Sequence, residues 1–433
     1  MMKNVGMISL GCAKNRVDSE EVLSYFVRNG YNLVSDPNLA DIIVVNTCGF
    51  IESAKQEALD TIFSTLKLHK ITVVIGCLVE RYYDDLVKEI PEVDLFVKIE
   101  DYPRFGELLA PVLKNNKLSG EIEKDKRILT TPSQQAYLQI SDGCNNFCAF
   151  CAIPYIRGRF HSFPFELIKK EIKDLSETGI KEIIIISQNT SVYGQDLDGD
   201  INICSVLREC LKYEQFKFIR LLYLYPDMIT DEFIQLYKDE PRLTPYFDVP
   251  IQHANDRLLK LMRRHGDKAL LENLFRKLRE VPNAVLRTTL IVGFPTETEE
   301  DVQELKQFII DNPFDHLGVF KYSNEEGTAA YALKEQIDPE VKQARYDLLM
   351  KTQAGISFKL NQRHIGETME AVITGYDPEN YCYSGICYLF APDDIDGQIY
   401  IYSSERELEI GEVVKVKVVN AGAYDLDAEV ISQ

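Results

Sequence analysis

No apolar run in this 433-residue chain is long enough to cross a bilayer. The longest, such as Ile42 to Val45 and Ile183 to Ile186, are strand-sized, whereas a membrane helix needs about 20 consecutive apolar residues. There is also no basic segment leading into an apolar helix and a cleavage site, since the sequence passes from Met1 straight into a strand-like stretch, Val5 to Leu10. Both absences predict a cytoplasmic protein with no membrane partner. Positive charge is scarce as well: 48 Lys and Arg stand against 68 Asp and Glu, a net charge of −20. That balance opposes general attraction to nucleic acid or anionic lipid and suits a basic partner. Internal repeats and low-complexity tracts are missing too, and 45% hydrophobic with 27% charged residues excludes a disordered or fibrous chain.

What is present is alternation. The length exceeds one ordinary core and implies two to four domains. Between residue 3 and about 113, β-rich runs at Val5 to Leu10, Asp41 to Asn46, Thr72 to Ile75 and Leu95 to Val97 alternate with amphipathic helical stretches, which predicts a parallel sheet covered by helices. Lys114 to Gln135 is polar and lacks apolar periodicity, and reads as a linker. A second alternating region has strands at Ala136 to Ile140, Glu182 to Ser187, Phe218 to Tyr223, Tyr246 to Val249, Leu286 to Val292 and His316 to Phe320. It closes with a helix at Pro339 to Arg363. Six βα units predict a partial (β/α) barrel, with a doubly wound sheet as the alternative. Short strands at Thr368 to Gly375, Tyr381 to Tyr388, Gln398 to Ile401 and Val413 to Asn420, separated by Gly, Pro and Asp turns, predict a small antiparallel β-barrel. The expected fold is multidomain α/β, divided at 1–113, 114–135, 136–362 and 363–433.

Ten cysteines in a reducing compartment should be free thiols or metal ligands. Cys144, Cys148 and Cys151 form a Cys-x3-Cys-x2-Cys array directly after a strand. Three thiolates so close can hold three irons of a [4Fe-4S] cubane and leave the fourth iron open. An open iron can chelate the amino and carboxylate groups of S-adenosylmethionine (SAM), so that one electron from the cluster breaks the sulfonium bond to C5′. The end of a strand is also where such folds place active sites. A structural zinc site would want a fourth ligand at matching spacing, and His161, ten residues on, has no partner pattern. Ser187-Gln188-Asn189 ends the second barrel strand and Gly293-Phe-Pro295-Thr-Glu297 the fifth. Gln188, Gly293 and Pro295 are therefore candidate SAM contacts, on turns where the backbone can approach a ligand closely.

Cys12, Cys48 and Cys77 are 36 and 29 residues apart and match no short metal-binding motif, yet each lies just past a predicted strand. In a parallel sheet the C-terminal ends of neighbouring strands share one edge, so these loops can converge and bind one metal centre. Three separate buried thiols are the plainer alternative. Cys204, Cys210, Cys382 and Cys387 lack such context and read as core or surface thiols.

Six further segments complete the pattern: Ser9-Leu-Gly-Cys12-Ala-Lys-Asn-Arg-Val-Asp-Ser-Glu20, Asn46-Thr-Cys-Gly-Phe-Ile-Glu-Ser-Ala54, Gly76-Cys-Leu-Val-Glu-Arg-Tyr82, Ile153-Pro-Tyr-Ile-Arg-Gly158, Pro250-Ile-Gln-His253 and Glu325-Glu-Gly-Thr328. With them almost the whole chain resembles the methylthiotransferases, radical SAM enzymes with an N-terminal second-cluster domain and a C-terminal barrel called TRAM. Within that family it resembles the RimO type, which modifies an aspartate of a small-subunit ribosomal protein, the S-twelve protein. The resemblance implies that Cys12, Cys48 and Cys77 hold an auxiliary [4Fe-4S] cluster and that Phe150 lies beside the SAM adenine. It implies two uses of SAM: one molecule donates a methyl group to sulfur at the auxiliary cluster, and another yields a 5′-deoxyadenosyl radical that abstracts hydrogen from the aspartate β-carbon before CH3S is installed. It further implies an external low-potential electron donor such as flavodoxin or ferredoxin. Gln188-Asn-Thr-Ser191 departs from the RimO type, whose pattern there is Gln-Asp, and is similar to the transfer RNA branch.

Charge bears on that choice. Arg363 to Gln433 carries 4 Lys and Arg against 14 Asp and Glu, half of the chain's net −20. An RNA-binding barrel should be basic, so a basic ribosomal protein is the expected partner and RNA binding is not expected, although a merely solvated acidic surface would have the same composition. Glu405, Glu407 and Glu409 alternate as they would along one face of a strand. A transfer RNA adenosine methylthiotransferase stays as the nearest alternative. A non-catalytic two-cluster electron-transfer protein is more remote, because it would need neither a SAM pocket nor six βα units.

Overall fold

Ile42-Ile-Val-Val45 and Ile71-Thr-Val-Val-Ile75 are almost wholly β-branched, the composition of strands buried on both faces. They become the middle of a five-stranded parallel sheet in a computed structural model that describes residues 3–431 apart from 116, 117, 119, 125, 133, 394 and 405. The strands are β1 (Asn4–Ser9), β2 (Asn32–Leu33), β3 (Ile42–Thr47), β4 (Ile71–Gly76) and β5 (Leu95–Val97), in the order β2-β1-β3-β4-β5. Helices Ala13–Arg28, Glu52–Leu66 and Cys77–Glu89 follow β1, β3 and β4, so three strand-to-helix turns open on one edge. The exposed two-residue β2 is too short to leave a pattern in the sequence.

The central region contains β6 (Gln135–Gln139), a small hairpin of β7 (Ser141–Asp142) and β8 (His161–Ser162), then β9 (Glu182–Ile186), β10 (Phe218–Leu221), β11 (Tyr246–Asp248), β12 (Val285–Val292) and β13 (His316–Lys321). β6-β9-β10 and β11-β12-β13 are parallel triplets. A parallel bridge between Ile219 and Leu243 and a 2.9 Å hydrogen bond from Leu224 N to Asp248 O join them. The six strands therefore form the arc of a partial barrel. Strand alternation sorts their side chains: Ala136, Leu138, Ile183 and Ile185 pack outward on the helices, while Tyr137, Ile184, Ile186, Leu222 and Tyr246 point inward.

That inward face is covered by the last domain, a closed barrel of β14 (Thr368–Asp377), β15 (Cys382–Ile386), β16 (Ile399–Tyr402), β17 (Val413–Ala421) and β18 (Leu426–Val430). Its order is β14-β15-β16-β18-β17, and β16 and β18 run parallel. The other four pairings are antiparallel, as in the expected barrel, and the β16–β18 pair is the one exception. Five is an odd number, and a closed ring of five strands cannot alternate direction at every step. Glu407 and Glu409 lie in the loop between β16 and β17 rather than on a strand face, and Glu405 lies outside the described residues.

The polar stretch from Lys114 to Gln134 has no helix or strand among its described residues, yet it is tied down. Leu118 and Ile122 are buried in the first core, Lys124 pairs with Glu21 at 3.1 Å, and Arg127 bridges Glu20 at 3.1 Å to Glu171 at 2.6 Å. It is a strap fastened to the helix Ala13–Arg28. No helix among the described residues is long and apolar enough to cross a membrane.

Candidate active site between two cysteine triads

The loop of Cys144, Cys148 and Cys151 leaves β7 through Gly143, whose φ is +73° and where a Cβ would lie 2.2 Å from Arg159 O. The loop is pinned at several points. Cys144 N donates to Gly158 O at 3.2 Å, Cys151 N to Cys148 O at 3.0 Å, and Ala149 N to Met262 O at 2.8 Å. The three thiols gather here: burial first, then the neighbouring Cys148 and Cys144, pushes Cys151 up, and burial pushes Cys144 up as well. The guanidinium of Arg264 lies 3.8 Å from Cys148 Sγ and 3.9 Å above the Tyr225 ring.

Cys12, Cys48 and Cys77 meet as the sheet topology requires. Gly76, with φ of +98°, brings the β4 turn so near β3 that a Cβ would lie 2.2 Å from Asn46 Oδ1. Asn15 donates at 3.0 Å to both Leu10 O and Thr47 O, and Asn46 donates to Asn15 O at 2.8 Å and Ser19 Oγ at 2.9 Å. One amide network thus fixes all three turns. Burial pushes Cys77 up to about 12, whereas at Cys12 burial is outweighed by Lys14, by backbone N–H groups and by Arg157, which hold the thiol below its ordinary value.

Arg157 connects the two triads. Its Nη2 reaches into the first domain, donating to Asp18 at 2.6 Å and to Asn15 Oδ1 at 2.9 Å and lying 3.6 Å from Cys77 Sγ, while its Nη1 is 3.5 Å from Asp142 in its own domain. Asp142 in turn accepts from Gln188 Nε2 at 2.8 Å. A second tie is Glu325, which pairs with Arg81 at 2.9 Å and Lys55 at 3.1 Å. A cavity of about 250 Å³ opens onto Cys12, lined also by Ser9, Gly11, Arg16, Thr130 and Asp393.

Of the expected SAM contacts, Gln188 stands beside the cysteine loop through Asp142, and Phe150 and Phe294 join one apolar cluster with Ala149 and Met262. Gly293 N donates to Glu297 at 2.6 Å, but the side chain of Lys342 covers the glycine, and Pro295 is buried. Arg157 and Lys14 stood inside quoted motifs without an assigned role, where their charge beside cysteines was the available signal. Arg264, far from any cysteine in sequence, gave none. Among the described residues, no three His, Cys, Asp or Glu side chains gather as around a single metal ion. The donor sets fit iron–sulfur clusters instead, since each triad offers three thiols and a cubane takes one thiolate per iron at separate positions.

Models of known families match three segments: "Uncharacterized protein family UPF0004" over residues 4–98, "Radical SAM superfamily" over 138–309 and "TRAM domain" over 365–431. Among solved structures, the chain is similar to the radical SAM methyltransferase TsrM of Kitasatospora setae with a TM-score of 0.56, 13% identity and coverage of 73% of this chain and 72% of that one, a likeness of fold. Among curated proteins it is 47% identical to the ribosomal protein uS12 methylthiotransferase RimO of Aquifex aeolicus, over 98% of this chain and 96% of that one. It is 42% identical to the protein of the same name from a Thermoanaerobacter species, over 99% of this chain and 100% of its relative. Matched end to end at this identity, with both cysteine triads gathered at facing strand ends, the chain belongs to the RimO type of the radical SAM methylthiotransferase family.

Proposed function

We propose that this protein installs a methylthio group on the β-carbon of an aspartate in the small-subunit ribosomal protein uS12. The observation that carries the reading is the pair of facing thiol triads joined through Arg157. An unactivated C–H bond has no acidic proton, so a general base could not open it and a radical is needed. When bound, two [4Fe-4S] clusters and SAM supply that radical, the methyl group and a carrier for sulfur.

Cys144, Cys148 and Cys151 would hold the cluster that binds SAM, with Phe150, Gln188, Gly293 and Pro295 around the cofactor, and Cys12, Cys48 and Cys77 would hold the auxiliary cluster. Arg264 keeps a positive charge beside Cys148. Asp393 helps close the site from outside: it pairs with Arg16 at 3.3 Å and accepts from Tyr137 OH at 2.5 Å, limiting the water that could quench a radical. Reaction in the cytoplasm, an external low-potential donor such as flavodoxin or ferredoxin, and no RNA partner complete the reading.

The test is anaerobic reconstitution with iron, sulfide, SAM and reductant, followed by mass spectrometry of uS12 and of transfer RNA. A gain of one methylthio group on the aspartate is expected. The same gain on an adenosine would move the enzyme to the transfer RNA branch, towards which Gln188-Asn189 leans.

A further inference from the structure

The cavity at Cys12 is where the first triad meets solvent. Of its three cysteines Cys12 is exposed, Cys48 half-buried and Cys77 buried. Both members of one ion pair line that cavity, Arg16 and Asp393, with Arg16 Nη2 at 3.3 Å from Asp393 Oδ1. The other oxygen of Asp393 accepts from Tyr137 OH at 2.5 Å. A single carboxylate thus sits on two donors, and each domain supplies one member: Arg16 the first, Tyr137 the central arc and Asp393 the last barrel. A cavity of about 150 Å³ holds benzene, so the 250 Å³ found here admits the four heavy atoms of an aspartate side chain with room for some of its backbone.

The pair is made to part. Both side chains are 32% exposed, and an ion pair so open to water adds little to stability. Asp393 reaches it from left-handed backbone, with φ of +62°, a conformation that costs a residue carrying a Cβ. Three residues on, Asp396 is 4% exposed, pairs with Arg287 at 3.0 Å and accepts from Tyr246 OH. The barrel therefore stays seated through Asp396 when Asp393 lets go.

We propose that Arg16 and Tyr137 form the receptor for the side-chain carboxylate of the substrate aspartate, and that Asp393 holds its place until the substrate arrives. The assignment rests on the function proposed above. The β-carbon is one bond from that carboxylate, so a substrate carboxylate on Arg16 brings the reacting carbon into the cavity that Cys12 lines. The same exchange selects aspartate over asparagine, because a neutral amide taking the place of Asp393 leaves the guanidinium without its counter-charge. The methionyl carboxylate of SAM shares this chemistry, and the test separates the two sources.

The experiment titrates the holoenzyme, with both clusters reconstituted, with intact uS12, with uS12 in which the modified aspartate is replaced by asparagine, and with SAM. The unaltered chain should bind the aspartate form roughly 10- to 100-fold more tightly than the asparagine form, the range of a charged hydrogen bond. Arg16→Met should abolish that preference. Asp393→Asn removes the competitor and should tighten binding of intact uS12 by roughly 2- to 5-fold, the worth of an exposed ion pair; in the Arg16→Met background it should change nothing. A residue that merely fastens the barrel would weaken binding when altered, the opposite sign. Equal affinity of the unaltered chain for the two forms of uS12 would overturn the assignment, and that measurement needs no variant to fold. So would a preference that survives in Arg16→Met, or unchanged or weaker uS12 binding in Asp393→Asn. Tighter SAM binding in Asp393→Asn with uS12 binding unmoved would give the receptor to the cofactor and overturn it too. If the unaltered chain transfers no methylthio group to uS12, the functional reading falls and takes this one with it. Transfer with an unchanged preference in Arg16→Met sinks this one alone.

Discussion

At the scale of single residues, the proposed function gives the two triads separable duties. Changing Cys144, Cys148 and Cys151 to Ala should about halve the bound iron, as loss of one of two four-iron clusters requires, and abolish 5′-deoxyadenosine formation. Changing Cys12, Cys48 and Cys77 to Ala should leave reductive SAM cleavage in place and remove methylthiolated product; normal turnover would make these cysteines structural. Arg157 tests the link between them. Arg157→Lys keeps the charge but loses the planar fork that reaches Asp18, Asn15 and Cys77 together. A nearby N–H donor and positive charge stabilise the more reduced, more negative state of a cluster. The variant should therefore show a lowered auxiliary-cluster midpoint in an EPR-monitored redox titration, and an unchanged midpoint would leave Arg157 a packing role only.

At the scale of elements, the helix Ala13–Arg28 shows what the sequence could and could not say. It reads as an amphipathic helix, yet its polar positions are buried too: Asn15, Asp18, Ser19 and Glu20 each meet a different neighbour, namely the adjoining turns, Arg157, Ser9 with Asn46, and Arg127 with Thr130. Periodicity found the long β-branched strands and missed β2, β7 and β8, whose two residues make pairing a matter of neighbours rather than pattern. Likewise β18, Leu-Asp-Ala-Glu-Val, carries only one β-branched residue. The convergence of three distant cysteines was legible from topology alone, whereas the tie through Glu325 needed coordinates. Glu325 is buried between Arg81 and Lys55, so Glu325→Gln leaves two cations short of their partner and should cost roughly 3 kcal/mol, read as a lower denaturation midpoint. Burial pushes this carboxyl up, but Ser323, Lys55 and Arg81 outweigh it and hold it below the ordinary glutamate range. A depressed folded value stabilises above the unfolded pKa, and that stability is lost as pH falls through the lower folded value. The wild-type advantage over Glu325→Gln should accordingly be full near neutrality and shrink below about pH 4, the ordinary glutamate range.

At the scale of the whole molecule, the acidic charge of the last domain divides into two parts with different uses. Asp393 and Asp396 turn inward, the first to Arg16 and Tyr137, the second to Arg287 at 3.0 Å and to Tyr246, and with the bond between His316 Nε2 and Leu389 O at 2.8 Å they seat this barrel against the central arc. Glu370, Glu379, Glu407, Glu409, Asp425 and Glu429 face solvent. Under the proposed function only this outer set is placed to attract a basic ribosomal protein, and it would act through water, where charges are screened beyond about 10 Å at 0.1 M salt. Attraction of that kind raises the rate of encounter more than the lifetime of the complex. Raising the salt should therefore slow association with uS12 by roughly tenfold, the lower end of electrostatic steering, with little change in dissociation. Glu407→Lys with Glu409→Lys reverses two exposed charges in the loop between β16 and β17. It should slow association at low salt, matter little at high salt, and leave reductive SAM cleavage as it was. Stopped-flow fluorescence at two salt concentrations measures both terms. Association insensitive to salt would mean that the acidic face serves solubility, and a faster encounter with transfer RNA than with uS12 would contradict the charge argument itself.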